Sequence, residues 1–148
     1  MTSKILISVV SVLMIVLVIK RGEKWPIIIT SGLSIGVLFA WTGISNVILT
    51  GLIIYMLSAV FSAVYGVFSK DLPKHQRIII ALTGLFGLFA NLSALNHWPY
   101  AGEIRLSMAI PLALYLILIY KGYARKGEFG FLTILNTDFL FKLLSYWI

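Results

Sequence analysis

The densest group of side chains able to do chemistry is the run Asn96-His97-Trp98-Pro99-Tyr100-Ala101-Gly102-Glu103. His97 and Glu103 could form a general base with an orienting carboxylate, or two ligands of a metal ion. A protein metal site takes three or four ligands, and the other histidine, His75, belongs to a different loop. Glu103 is the only acid on its side, so neither paired carboxylates nor a Ser/His/Asp arrangement can be assembled. The run therefore reads as a corner. Pro99 and Gly102 shape a turn, Trp98 and Tyr100 anchor at a membrane interface, and His97 is structural. The chain reads as a non-enzyme with no catalytic residue, no metal and no cofactor. His97, Trp98, Tyr100 and Glu103 remain candidates for contact with a partner or ligand, because an aromatic loop suits docking.

A second group lies on helical spacing. Gly51, Tyr55, Ser58, Ser62, Tyr65 and Ser69 recur at intervals of 4, 3, 4, 3 and 4, one face of a helix. Thr83, Gly87, Asn91 and Ala94 form a similar face further on. In hydrocarbon such faces must turn toward other helices. They serve either interhelical hydrogen bonding or the lining of a cleft. Asn91 must find a partner or its burial costs several kcal/mol; Ser58, Ser62 and Tyr65 are the expected ones, with Tyr55 in reserve. Gly32, Gly36 and Ala40, four residues apart, make a flat strip for close helix approach, within the chain or between copies.

Five apolar stretches must position these residues: Ile5–Ile19, Ile27–Trp41, Asn46–Phe68, Ile78–Leu95 and Leu106–Tyr120. With 60% hydrophobic and 11% charged residues and a mean hydropathy of +1.01, the chain is far from a soluble domain. The absence of cysteine excludes disulfides, thiol redox chemistry and Cys-based metal sites. The net charge of +7 sits just beyond the ends of apolar stretches, a pattern of topology rather than of nucleic-acid binding. Anionic phospholipids are the expected contacts of these basic residues.

The links alternate. Lys20/Arg21/Lys24, Lys70/Lys74/Arg77 and Lys121/Arg125/Lys126 are basic, whereas Thr42–Ser45 and Asn96–Arg105 carry Arg105 alone. Basic links stay cytoplasmic, so the N-terminus is expected in the periplasm and the C-terminus in the cytoplasm of an inner-membrane protein. The first stretch ends in a stop-transfer pattern, not a cleavage site. Pro111 predicts a modest kink in the fifth. In the tail, a sixth span would place Asp138 mid-membrane at a cost of roughly 2.5–3.5 kcal/mol. An interfacial helix capped by Asn136 or Asp138, with Lys142 reaching the headgroups, avoids that cost. The expected fold is all-α: a five-helix transmembrane bundle over residues 1–128 and an amphipathic interfacial helix over 129–148, with six spans as the alternative.

The stretch Gly84 to Leu118, an apolar helix, the turn His97-Trp98-Pro99-Tyr100-Ala101-Gly102 and a second apolar helix, resembles the helical hairpin of the stator protein of the gliding-motility and type 9 secretion motor. Related small membrane proteins of the Bacteroidota share such a turn. The resemblance implies a periplasmic turn, in agreement with the charge pattern. It departs at Tyr100, where that family usually has Gly, and the glutamate of the family's second helix has no counterpart between Leu106 and Tyr120. The long cytoplasmic region of that family is also absent, so motor activity does not carry over. With no charge inside the five spans, the expected function is a small non-catalytic subunit of an inner-membrane complex, bound to other membrane subunits. The alternative is a small transporter or binder of an uncharged or lipid-like molecule.

Overall fold

The computed structural model describes residues 2–96, 99–122 and 126–147. Among them the regular elements are all helices: α1 Thr2–Arg21, α2 Lys24–Phe39, α3 Ser45–Phe68, α4 Lys74–Leu95, α5 Ala101–Ser107, α6 Ala109–Tyr120 and α7 Glu128–Trp147. Four segments are long and apolar enough to cross a membrane: Ser3–Arg21, Ser45–Phe68, Lys74–Ser93 and Gly102–Tyr120. Lys24–Phe39 is apolar but shorter.

The ends of the helices follow local chemistry. After Arg21, Gly22 takes a φ of 72° and its N–H returns to the carbonyls of Val18 and Ile19. Only glycine adopts that left-handed conformation without strain, so α1 stops there. The expected kink near Pro111 is a break between α5 and α6. A proline lacks an N–H, and its ring displaces the carbonyl four residues earlier, here that of Ser107. The backbone answers with a tighter turn at Met108, whose N–H bonds to the Arg105 carbonyl at 3.2 Å.

The tail departs from expectation in where its helix starts. α7 packs against α1, α2, α4, α5 and α6. Phe131, Ile134, Leu135 and Phe139 are all fully buried. A helix that is apolar on several faces seeks enclosure on several faces. Asn136, Thr137 and Asp138 do not cap it, because they lie within it. The Asn136 amide donates to the Leu132 carbonyl (2.8 Å), and the Thr137 hydroxyl donates to that of Thr133 (2.7 Å). Such bonds to the preceding turn satisfy polar side chains without ending a helix.

Contacts along α7 set its direction. Gly127 donates its N–H to Glu23 (3.2 Å), and Arg21 donates to the Lys126 carbonyl, so α7 begins beside the α1–α2 link. Glu128 faces Tyr65 and Asp138 faces Tyr55, which makes α7 antiparallel to α3. Leu135 meets Gly87 and Lys142 meets Asn91, which makes it parallel to α4. α7 thus leads from the end of the bundle holding the basic links to the opposite end.

α3 and α4 form the closest seam. A Cβ on Gly66 would lie 2.6 Å from the Ala81 backbone nitrogen, and one on Gly84 would lie 2.5 Å from the Ala59 oxygen and the Ala63 nitrogen. The obstacles are backbone atoms that cannot rotate aside. Gly84→Val is therefore expected to cost about 3 kcal/mol, the upper range for overpacking. The replacement Leu85→Val, at the exposed neighbour, should change little. Thermal unfolding in detergent compares the two, and equal melting temperatures would sink the seam argument.

Candidate functional site

The polar residues of α7 gather partners from two other helices. The Asp138 carboxylate oxygen Oδ2 accepts from the Lys142 ammonium at 2.6 Å and from the Tyr55 hydroxyl at 3.2 Å. Lys142 also donates to Asn91 Oδ1 at 3.0 Å, and the Asn91 amide donates to the Gly87 carbonyl at 2.7 Å. The spacing of Asp138 and Lys142, four residues apart, places both on one face of α7. Their side chains are 16% and 22% exposed. In such surroundings an isolated charge is costly, whereas a hydrogen-bonded pair of opposite charges carries no net charge and shares the desolvation.

This cluster lines part of a cavity of about 210 Å³. Tyr55, Asn91 and Asp138 supply its polar lining, Lys4 and Trp41 contribute from α1 and the α2–α3 link, and Gly36, Val37, Ile48 and Leu52 make apolar walls. A purely apolar cavity of about 150 Å³ holds benzene in another protein, so this one has room for a small molecule. At its edge the Trp41 indole donates to the Ser8 hydroxyl (2.7 Å), tying the start of α1 to the end of α2. Gly36 and Ala40 keep the wall thin. Gly36 also meets the Gly51 carbonyl, which a Cβ would approach to 2.7 Å.

A second tyrosine–carboxylate contact lies nearer the basic links, where the Tyr65 hydroxyl donates to Glu128 Oε1 at 2.8 Å. Tyr55 and Tyr65 are ten residues apart on α3, as are Asp138 and Glu128 on α7. The two long phenols bridge between helices whose backbones make little direct contact. Tyr65 also meets Phe131 edge to face, with ring centroids 6.2 Å apart.

The sequence-derived candidates are distributed as follows. Gly32 packs against the Ser58 side chain, and Gly87 faces Leu135 of α7 and Ala59 of α3. Ser58 donates to the Ile54 carbonyl of its own helix, and Ser62 is buried without a partner. Asn91 finds Lys142 rather than an α3 hydroxyl. Ala40 lines the cavity and Tyr65 binds Glu128. Tyr100 and Glu103 are exposed, while His97 and Trp98 lie outside the described residues. Among the described residues no three His, Asp or Glu side chains converge on one point. Sequence reasoning missed Asp138, Lys142 and Glu128 as interior groups. The signals present were the four-residue spacing of Asp138 and Lys142 and the repeated ten-residue spacing of tyrosines and acids.

Comparison with protein-family models, characterised proteins and solved structures finds no match to the chain. What the geometry defines is an all-helical protein with several membrane-length apolar helices and a neutral, hydrogen-bonded charge pair beside a small cavity.

Removing one member of that pair should cost more than removing both. Asp138→Ala strands the Lys142 ammonium and is expected to lower stability by about 3 kcal/mol, the low end for a buried pair given its partial exposure. Adding Lys142→Met should recover most of the loss. Chemical or thermal unfolding of the single and double variants measures the coupling, and additive losses would refute it.

Proposed function

We propose that this chain is a six-pass inner-membrane protein that binds a small, uncharged, lipid-like molecule in the cavity beside Asp138 and carries it across the bilayer. The observation that carries the reading is the pairing of apolar walls with Tyr55, Asn91 and Asp138 in one cavity. Sites for small molecules commonly combine apolar surface with a few fixed polar groups. Asp138 and Lys142 already neutralise one another, so an uncharged ligand leaves that balance intact. A hydroxyl or similar donor on the ligand would meet the carboxylate.

Six crossings follow from treating α5 and α6 as one interrupted span and α7 as the last. With basic links in the cytoplasm, both ends of the described helical bundle then lie on the periplasmic side. The same links suit anionic phospholipid headgroups. Pairing and hydrogen bonding lower the cost that argued against Asp138 within the membrane, and intramembrane ionisable groups usually mark a functional pathway.

The reading as a non-catalytic subunit retains one supporting feature: Tyr100, 64% exposed, beside Glu103 offers an aromatic docking point. Its other supports are used within the chain. Gly32 and Gly36 pack against α3, and the interior is not free of charge. The resemblance of Gly84–Leu118 to the motor hairpin bears on lineage alone.

Two measurements test these readings. A reporter enzyme active only in the periplasm, fused after Ile148, should give signal; silence would remove the sixth crossing. Mild-detergent purification followed by native mass spectrometry should show one bound small molecule, lost when Ala40→Phe fills the cavity. A stoichiometric partner protein without a small molecule would replace transport by the subunit reading.

A further inference from the structure

The seam between α2 and α3 is made by Gly32, which meets Ser58, and Gly36, which meets Gly51 and Tyr55. Toward the basic links the same face of α2 continues with Ile28 and Trp25. Small residues let helix backbones approach, and large ones hold them apart. A groove of about 750 Å³ lies where the small residues end, with Trp25, Ile28, Phe61 and Phe68 in its walls. The three aromatic side chains are each more than half exposed.

Lys70 and Asp71 of the α3–α4 link also line this groove. Both are exposed, and neither is paired with another described residue. The link that carries them is pinned. Arg77 donates to the carbonyls of Gly66 (3.3 Å) and Val67, and Leu72 packs against the core. Two adjacent opposite charges are thereby presented at an apolar groove, at the end of the bundle that holds the basic links.

This combination selects an occupant. The apolar walls suit an acyl chain, and Trp25 suits the level of the headgroups. Lys70 offers an ammonium to a phosphate, whereas the Asp71 carboxylate offers only acceptors and calls for a positively charged donor. An anionic phospholipid would satisfy Lys70 and be repelled by Asp71. A headgroup that joins a phosphate to a primary ammonium satisfies both. Elsewhere the basic links attract anionic headgroups by charge alone; in the groove Asp71 changes the choice.

We propose that the groove between the start of α2 and the end of α3 binds one zwitterionic phospholipid with a primary amine headgroup, its phosphate at Lys70 and its ammonium at Asp71. The proposal rests on the membrane setting of the helices and not on transport through the Asp138 cavity, which lies beyond Gly36 toward the opposite end.

The experiment is native mass spectrometry of the purified full chain in mild detergent, titrated with phosphatidylethanolamine or phosphatidylglycerol of matched acyl chains. One phosphatidylethanolamine per chain is expected, bound about fivefold more tightly than phosphatidylglycerol, the effect of about 1 kcal/mol for a partly exposed charge pair. Asp71→Asn should remove that preference, and Lys70→Gln should weaken the binding of both lipids. Both side chains are exposed, so both variants should keep the parent melting temperature. Ala40→Phe, which fills the other cavity, should leave phosphatidylethanolamine binding unchanged; its loss would place the lipid beside Asp138 and overturn the proposal. Equal affinity for the two lipids would also overturn it, as would a preference that survives Asp71→Asn. A lipid-free homodimer that Phe61→Ala dissociates would assign the groove to a second copy of the chain instead.

Discussion

Hydrocarbon offers no hydrogen bonds, so every polar group carried into it must be matched by another part of the protein. α7 carries Glu128, Asn136, Asp138 and Lys142, and the other helices pack so as to match them. Lys142 and Asp138 cancel one another, Tyr55 and Asn91 complete their hydrogen bonds, and five helices pack around the apolar remainder. A helix with these groups on the lipid surface would lose both the matching and the packing.

Enclosure requires the surrounding helices to come close, and small residues provide that. Gly66 and Gly84 bring α3 and α4 into backbone contact, Gly36 and Gly51 do the same for α2 and α3, and Gly130 makes room for Val18 of α1. Where the helices cannot close, long side chains reach across. Tyr55 and Tyr65 span from α3 to α7, and Tyr115 spans from α6 to Thr133. The interior therefore has two kinds of joint, glycine seams and phenol bridges, and cavities lie beside the bridges.

The apolar stretches, the small-residue strip on α2 and the polar face of α3 were legible in the sequence, since each rests on local periodicity. The interruption in the fifth stretch was legible in kind from Pro111, though it proved a full break at Met108. The place of α7 was not. Asn136-Thr137-Asp138 reads as a helix start because such residues favour caps, yet Asn136 and Thr137 bond back to the preceding turn and Asp138 bonds forward to Lys142. The cost assigned to Asp138 was that of a solitary acid, and Lys142 one turn later removes most of the reason for it. Asn91 was seen to need a partner, but the partner lies 51 residues away, beyond the reach of any local pattern. The meeting of Glu128 and Gln76 at one small pocket is hidden for the same reason.

α7 is the last of the described helices, and it occupies the middle. Synthesis from the N-terminus makes α1 to α6 before the helix that fills the space between them. Until α7 arrives, Tyr55, Asn91 and Gly87 face a space that only lipid or water can occupy. The six helices that precede α7 are thus a mould, and α7 is the casting that sets them.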